Sequence, residues 1–174
     1  MKKLNTRRLV VTALLIAFGI IIPTAFGFLR VILPPAFTAT LTAHVPIFIA
    51  MFISPLSAIF TSIGTTLGFL ASGLDPVVVV RAASHIVFAV VGAYMLAKKQ
   101  NIILCGVVTA VLHAVFEALV VYVFLALGWT TSGDSFVKVA FYTTGIGTLI
   151  HHAIDYVIAV AIVKALLKAK IEFR

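Results

Sequence analysis

Long apolar runs, separated by short polar or proline-containing segments, make up most of this 174-residue chain. A helix that crosses a bilayer needs about 20 mostly apolar residues. Runs of that length lie at residues 9–26, 77–97 and 102–127. A fourth run, 136–167, is too long for one straight span, so we expect its helix at residues 147–167 after a helical or irregular lead-in. The pattern predicts helices and leaves no room for a soluble domain.

Another apolar stretch, residues 43–70, is interrupted by Ser54-Pro55. As one helix it would be about 42 Å long. A residue that precedes proline is disfavoured in helical geometry, so we expect two shorter helices joined at Ser54-Pro55. The total is then six, and an even number places both chain ends on the same side of the membrane. For residues 28–42 the sequence predicts an irregular loop or a re-entrant segment. The segment is longer than a turn requires, and this length suggests a lid.

Composition and charge support the membrane class. Apolar residues make up 63% of the chain and charged residues 10%, with a mean hydropathy of +1.23. A soluble domain has about 45–50% apolar and about 25% charged residues. The net charge of +8 does not indicate nucleic acid, because ten of the thirteen basic residues flank predicted spans. They are Lys2, Lys3, Arg7, Arg8, Lys98, Lys99, Lys164, Lys168, Lys170 and Arg174.

Basic clusters of this kind mark the cytoplasmic ends of spans. We therefore predict an all-α membrane protein that is multi-pass in the cell membrane. It is expected to be a bundle of six transmembrane helices with both termini cytoplasmic. Residues 1–174 are expected to form a single integral membrane domain.

Three predicted spans each carry a pair of ionisable residues four positions apart. The pairs are Arg81 with His85, His113 with Glu117, and His151 with Asp155. Residues at this spacing share one helix face, and a charge in the bilayer costs at least about 2.5–3.5 kcal/mol. We expect the three polar faces to be buried against one another around a pocket. In the alternative interpretation these residues only pair with each other, for instance Arg81 with Glu117 or Asp155 with a histidine.

Arg81 is the best candidate for binding an anion, because its planar guanidinium binds a carboxylate through two parallel hydrogen bonds. His85 is a candidate second donor. Glu117 and Asp155 are candidates to accept a hydrogen bond from a ligand N–H or to orient a histidine. His151 is a further candidate substrate-binding residue.

Two aromatic residues near the same end of the spans, Tyr122 and Trp129, are candidates to stack on a flat ligand ring. They are equally well explained as anchors at the membrane–water interface. Small residues four apart occur as Ala13-x-x-x-Ala17 and Gly64-x-x-x-Gly68. Such spacing lets helices approach closely, either within the bundle or against another protein.

Together these features resemble a substrate-binding (S) subunit of an energy-coupling factor (ECF) vitamin transporter. The resemblance rests on the length, the six spans, the basic N-terminus, Ala13-x-x-x-Ala17 and the segment from His44 to Pro55. The run Arg81-Ala-Ala-Ser-His85 is similar to the niacin-type members.

The resemblance implies a vitamin-binding subunit without ATPase activity, metal or cofactor. Its site would open to the outside between the last three helices. Ala13 and Ala17 would dock on a transmembrane coupling subunit that is joined to two ATP-binding subunits. An anionic vitamin suits Arg81, with niacin first and pantothenate next, while folate-type and pyrimidine ligands stay open.

Two other functions remain open at this point. The chain would be an intramembrane metal-dependent enzyme if its histidines and carboxylates bound zinc, but the H-E-x-x-H arrangement is absent from the sequence. It would be a stand-alone proton-coupled carrier or channel if Glu117, Asp155 and the histidines relayed protons. The short chain without an inverted repeat argues against a carrier.

Overall fold

The computed structural model describes residues 6–34 and 36–171, which form six α-helices and a short β-hairpin. The elements are α1 Thr6–Ala25, β1 Arg30–Leu33, β2 Phe37–Thr40, α2 Val45–Ile53, α3 Pro55–Ala71, α4 Pro76–Ala97, α5 Ile102–Ala126 and α6 Gly147–Lys168. A 3-10 turn at Gly27–Leu29 precedes β1, and a π-helical segment at Lys138–Ile146 leads into α6. The prediction of an all-α bundle with six helices is confirmed.

The break between α2 and α3 lies at Ser54-Pro55, as predicted. Ser54 is extended, with φ −170° and ψ 160°, and Pro55 opens α3. The Ser54 side chain accepts a hydrogen bond of 3.1 Å from the Ser57 backbone N–H. It therefore satisfies one of the free N–H groups at the start of the helix.

Four helical segments are long and apolar enough to cross a membrane: α1, α4, α5 and the continuous stretch Lys138–Lys168. Helix α3 has 17 residues and α2 has only nine. At 1.5 Å per residue α2 covers about 14 Å, less than half of the roughly 30 Å hydrocarbon core. The six predicted full-length spans are therefore supported for four helices in the described part of the chain. Helix α2 begins after the buried, non-helical residues Ala43 and His44 and ends at the Ser54-Pro55 break.

The loop expected at residues 28–42 contains regular structure that the sequence pattern did not predict. Strands β1 and β2 pair antiparallel, with Arg30 opposite Thr40 and Leu33 opposite Phe37. Phe37 is buried against the start of α6, where a Cβ on Gly147 would lie 2.7 Å from the Phe37 ring. Glycine at position 147 therefore lets the hairpin lie directly on α6.

Helices α1 and α3 pack closely through glycine. A Cβ on Gly68 would lie 2.7 Å from the Gly19 carbonyl oxygen and from the Ile20 Cα. The Gly64-x-x-x-Gly68 face thus packs within the bundle. Ala13 and Ala17 lie on an exposed face of α1 instead.

Two apolar clusters surround the polar residues. One contains Phe48 and Phe88; the other contains Phe69 and Val121. The polar side chains of α4, α5 and α6 are buried as well, among them Arg81, His85, His113, Glu117, His152 and Asp155.

Candidate functional site

Glu117 of α5 is the carboxylate on which three helices converge. Its Oε2 accepts a hydrogen bond of 2.7 Å from Arg81 Nη2 of α4 and another from the hydroxyl of Thr148 of α6. Its Oε1 lies 3.1 Å from His85 Nε2, which donates to it, and 3.4 Å from His113 Nε2. The pairing of Arg81 with Glu117 is one of the contacts expected in the alternative interpretation, in which the ionisable residues pair with each other.

Asp155 of α6 is a second buried carboxylate, and it holds the chain between the hairpin and α2. Its Oδ1 accepts from the Thr42 backbone N–H at 2.9 Å. Its Oδ2 accepts from the His44 backbone N–H at 3.0 Å and from His44 Nδ1 at 3.1 Å. His151 Nε2 is 3.5 Å from the same oxygen. Asp155 therefore positions the segment after the hairpin and orients the His44 ring.

Arg81 also binds the hairpin. Its Nη1 donates to the Ala36 carbonyl at 2.8 Å and its Nη2 approaches the Thr38 carbonyl at 3.4 Å. The guanidinium lies 5.4 Å from the centre of the Phe37 ring, within the range of a cation–π contact. Only 3% of Arg81 is exposed, and its Nε has no hydrogen-bond partner within the described residues. The arginine thus joins Glu117 to the underside of the hairpin.

All five histidines of the chain lie in one group around these carboxylates. The His44 ring centre is 4.6 Å from those of His85, His113 and His151. His113 Nδ1 lies 3.0 Å from His152 Nδ1. The helical spacing indicated His85, His113 and His151, but His44 and Thr148 were not among the predicted site residues. A histidine within an apolar stretch is itself a functional signal, and it was the one available for His44.

A small cavity lies between the hairpin and this group. Its lining includes Thr38, Ala39, Thr40, His44, Phe69, Val78, Arg81, Ala82, His85, Glu117 and His151. Its volume is about 10 Å³, which is close to what one water molecule requires. The cavity is too small for a ring-sized ligand, and β2 covers one side of it through Thr38, Ala39 and Thr40.

Two predicted site residues lie elsewhere in the structure. Tyr122 is 40% exposed and packs near Phe136 and Phe141. Trp129 is 70% exposed, with its ring 5.3 Å from that of Phe124. Neither is among the described residues that line the cavity. These positions favour the alternative of interface anchors. The aromatic residues close to the polar group include Phe37, Phe48, Phe69, Phe88 and Tyr156.

Comparison with known proteins identifies a relative. The chain is 37% identical over 175 aligned residues to the niacin transporter NiaX of Lactococcus lactis subsp. cremoris (strain MG1363). The alignment covers 97% of this chain and 78% of that protein. No protein-family model matches the chain, and no solved structure matches it.

Proposed function

We propose, from the premise that this chain belongs to the family of the niacin transporter NiaX, that it is a niacin-binding S subunit of an ECF transporter. Membership in this family agrees with the resemblance to niacin-type S subunits drawn from the sequence. It also identifies the chain as a multi-pass membrane protein and a transporter relative, not an enzyme. The observation that supports niacin best is the buried Arg81 guanidinium beside a cavity roofed by the hairpin.

The geometry supports a binding mode for nicotinate, the carboxylate form of niacin. When the hairpin lifts, Arg81 loses the Ala36 and Thr38 carbonyls and turns its free N–H groups to the nicotinate carboxylate. Glu117 keeps its bond to Arg81 and holds the guanidinium in place. The pyridine ring then lies among the imidazoles of His44, His85 and His151, which line the cavity. Asp155 acts through His44, which it orients.

The dependence of binding affinity on the charge of the ligand tests this proposal. In detergent-solubilised protein we expect nicotinate to bind more tightly than nicotinamide, which has the same ring but no negative charge. A hydrogen bond to a charged group contributes about 1.5–3 kcal/mol, so the affinity ratio should be about 10- to 150-fold. Isothermal titration calorimetry measures both ligands, with pantothenate as a third. Equal affinity for nicotinate and nicotinamide contradicts the proposed role of Arg81, and preference for pantothenate identifies the other vitamin.

We further propose that the cavity opens to the outside, that both termini are cytoplasmic and that residues 1–174 act as one domain. The support is the clustering of basic residues at the start of α1, between α4 and α5, and at the end of α6. Energy would come from a coupling subunit with two ATP-binding subunits, since nucleotide-binding motifs are absent from the sequence. Rotation of the whole subunit in the membrane would carry the ligand inward.

The exposed alanine face of α1 is the proposed docking surface for the coupling subunit. Ala13→Leu combined with Ala17→Leu should abolish co-purification with that module, because bulky side chains prevent close helix approach. Nicotinate binding by the isolated chain should be unchanged. The matched control is Ala83→Leu with Ala161→Leu, two exposed alanines on α4 and α6. Equal loss of co-purification in the control would show that any added bulk disrupts assembly and would contradict this surface.

A further inference from the structure

Three of the buried histidines have the arrangement of a metal site. His44, His85 and His113 each offer one ring nitrogen, and the three nitrogens lie within 4.8 Å of one another. Their ring centres form a nearly equilateral triangle, with separations of 4.6, 4.6 and 4.7 Å. The residues come from the start of α2, from α4 and from α5, so the fold alone brings them together.

One nitrogen of each imidazole is already held by a hydrogen bond. His44 bonds to Asp155, His85 to Glu117, and His113 to His152. Histidine ligands of metals commonly donate their other N–H to a carboxylate, which sets the tautomer and the ring orientation. Asp155 and Glu117 stand in that relation to His44 and His85.

On two of the three rings, the opposite nitrogen lacks such a partner. His85 Nδ1 and His113 Nε2 are buried and have no hydrogen-bond partner within the described residues. His113 Nε2 only approaches Glu117 Oε1, at 3.4 Å. An unpaired polar atom in a protein interior is costly, so two such atoms on neighbouring rings indicate a ligand that binds both.

The charge of the group points to a cation. With neutral imidazoles, Arg81 compensates only one of the carboxylates of Glu117 and Asp155, which leaves a net charge of −1 among these buried groups. An anionic nicotinate would make it −2. A divalent cation together with nicotinate makes the enclosed site neutral. Burying an uncompensated net charge inside a membrane protein is energetically unfavourable.

We propose that His44, His85 and His113 bind a divalent transition-metal ion of the Zn²⁺ class beneath the hairpin. Three imidazoles suit such ions and leave a fourth coordination position open. His44 and His85 line the cavity, so this position is directed to the place where nicotinate would enter. We propose that nicotinate occupies it, a second step that rests on the niacin-binding function. At metal–nitrogen distances of about 2.0–2.1 Å the nitrogens of a tetrahedral site are about 3.4 Å apart, so nitrogens separated by as much as 4.8 Å must come closer together when the ion binds.

A second group, His44, His151 and Asp155, has ligand atoms at similar separations. We favour the first group because both oxygens of Asp155 already accept hydrogen bonds from the backbone N–H groups of Thr42 and His44. The two groups share His44, so they cannot both be filled, and a test must separate them.

The experiment uses full-length protein with an affinity tag that contains no histidine. Protein stripped with a chelator is titrated with Co²⁺, and its visible absorption is recorded alongside elemental analysis of Zn²⁺-loaded protein. We expect about one equivalent of metal and the absorption of four-coordinate Co²⁺. Nicotinate should change that spectrum, and chelation should weaken nicotinate binding at least about tenfold.

Variants assign the site. His85→Asn and His113→Asn should each lose metal binding, whereas His151→Asn should keep it; thermal unfolding of each variant shows whether it is folded. Two metal-binding histidines are replaced separately, so that if one variant does not fold, the other still tests the metal site. Loss of metal binding in His151→Asn alone would overturn the assignment in favour of the second group.

Three other outcomes also decide the proposal. The proposal is overturned if wild-type protein binds no stoichiometric metal, either with or without nicotinate. It is also overturned if nicotinate binds equally well to the metal-free protein and its binding is accompanied by proton uptake instead. If Co²⁺ binds through His85 and His113 but nicotinate binds neither form of the protein, the metal site stands and the niacin function fails.

Discussion

Replacing Arg81 by glutamine should both destabilise the protein and abolish nicotinate binding. Glu117 would lose its partner at 2.7 Å while remaining buried among apolar helices. Removing one member of a buried ion pair costs about 3–5 kcal/mol, because the remaining charge is not compensated. The hairpin would also lose its contact through the Ala36 carbonyl. Thermal unfolding in detergent measures the loss of stability, and calorimetry measures the loss of nicotinate affinity.

A second substitution separates folding from binding. Combining Arg81→Gln with Glu117→Gln removes both charges, so most of the lost stability should return. Nicotinate binding should not return, because its carboxylate still lacks the guanidinium. Lys138→Gln is the control, since the Lys138–Asp134 pair is exposed and such pairs contribute about 0–1 kcal/mol. Normal nicotinate affinity in the double variant would contradict the binding role of Arg81.

Replacing Asp155 by asparagine should loosen the hairpin while the helices stay folded. Asp155 accepts three hydrogen bonds, from the Thr42 and His44 backbone N–H groups and from His44 Nδ1. Asparagine has one carbonyl oxygen, and its amide N–H₂ would face a donor that needs an acceptor. Leaving a buried donor unsatisfied costs about 1–3 kcal/mol. Hydrogen–deuterium exchange should be faster at residues 41–45 and along β1 and β2.

The chain provides a matched control for this change. Asp134 lies in an exposed segment and pairs with Lys138, so Asp134→Asn is the same chemical change outside the bundle. It should leave exchange in the hairpin unchanged. If Asp155→Asn also leaves exchange at residues 41–45 unchanged, Asp155 does not hold the hairpin, and another interaction keeps the cavity covered.

The polar network shows which site residues can be predicted from their spacing along the chain. Residues four apart share a helix face, so the sequence alone assigns Arg81 with His85 and His113 with Glu117 to buried faces. Two of the predicted partners, Arg81 and Glu117, do contact each other. The same rule gives no information on an ionisable residue without an ionisable neighbour three or four positions away, and for that reason it missed His44.

Tyr122 and Trp129 show that residue type alone can suggest a binding role that the structure does not support. Their place near one end of the bundle follows from the sequence, but the side of the helix end that they occupy does not. Tyr122 packs against Phe136 and Phe141, which depends on how the segment before α6 returns to α5. Aromatic residues suit a binding site and an interface equally well, so residue type alone could not choose between them.

By itself the sequence determined the membrane class, the number of helices and the break at Ser54-Pro55. These properties depend on local chemistry: apolar length, charge placement and the steric effect of proline on the residue before it. Only the tertiary structure decided that Arg30–Leu33 and Phe37–Thr40 pair as a hairpin over the site, that His44 completes a group with His85 and His113, and that Asp155 holds the chain beneath the hairpin. Those contacts join residues up to 113 positions apart, and their geometry depends on how whole helices pack, which no local pattern encodes.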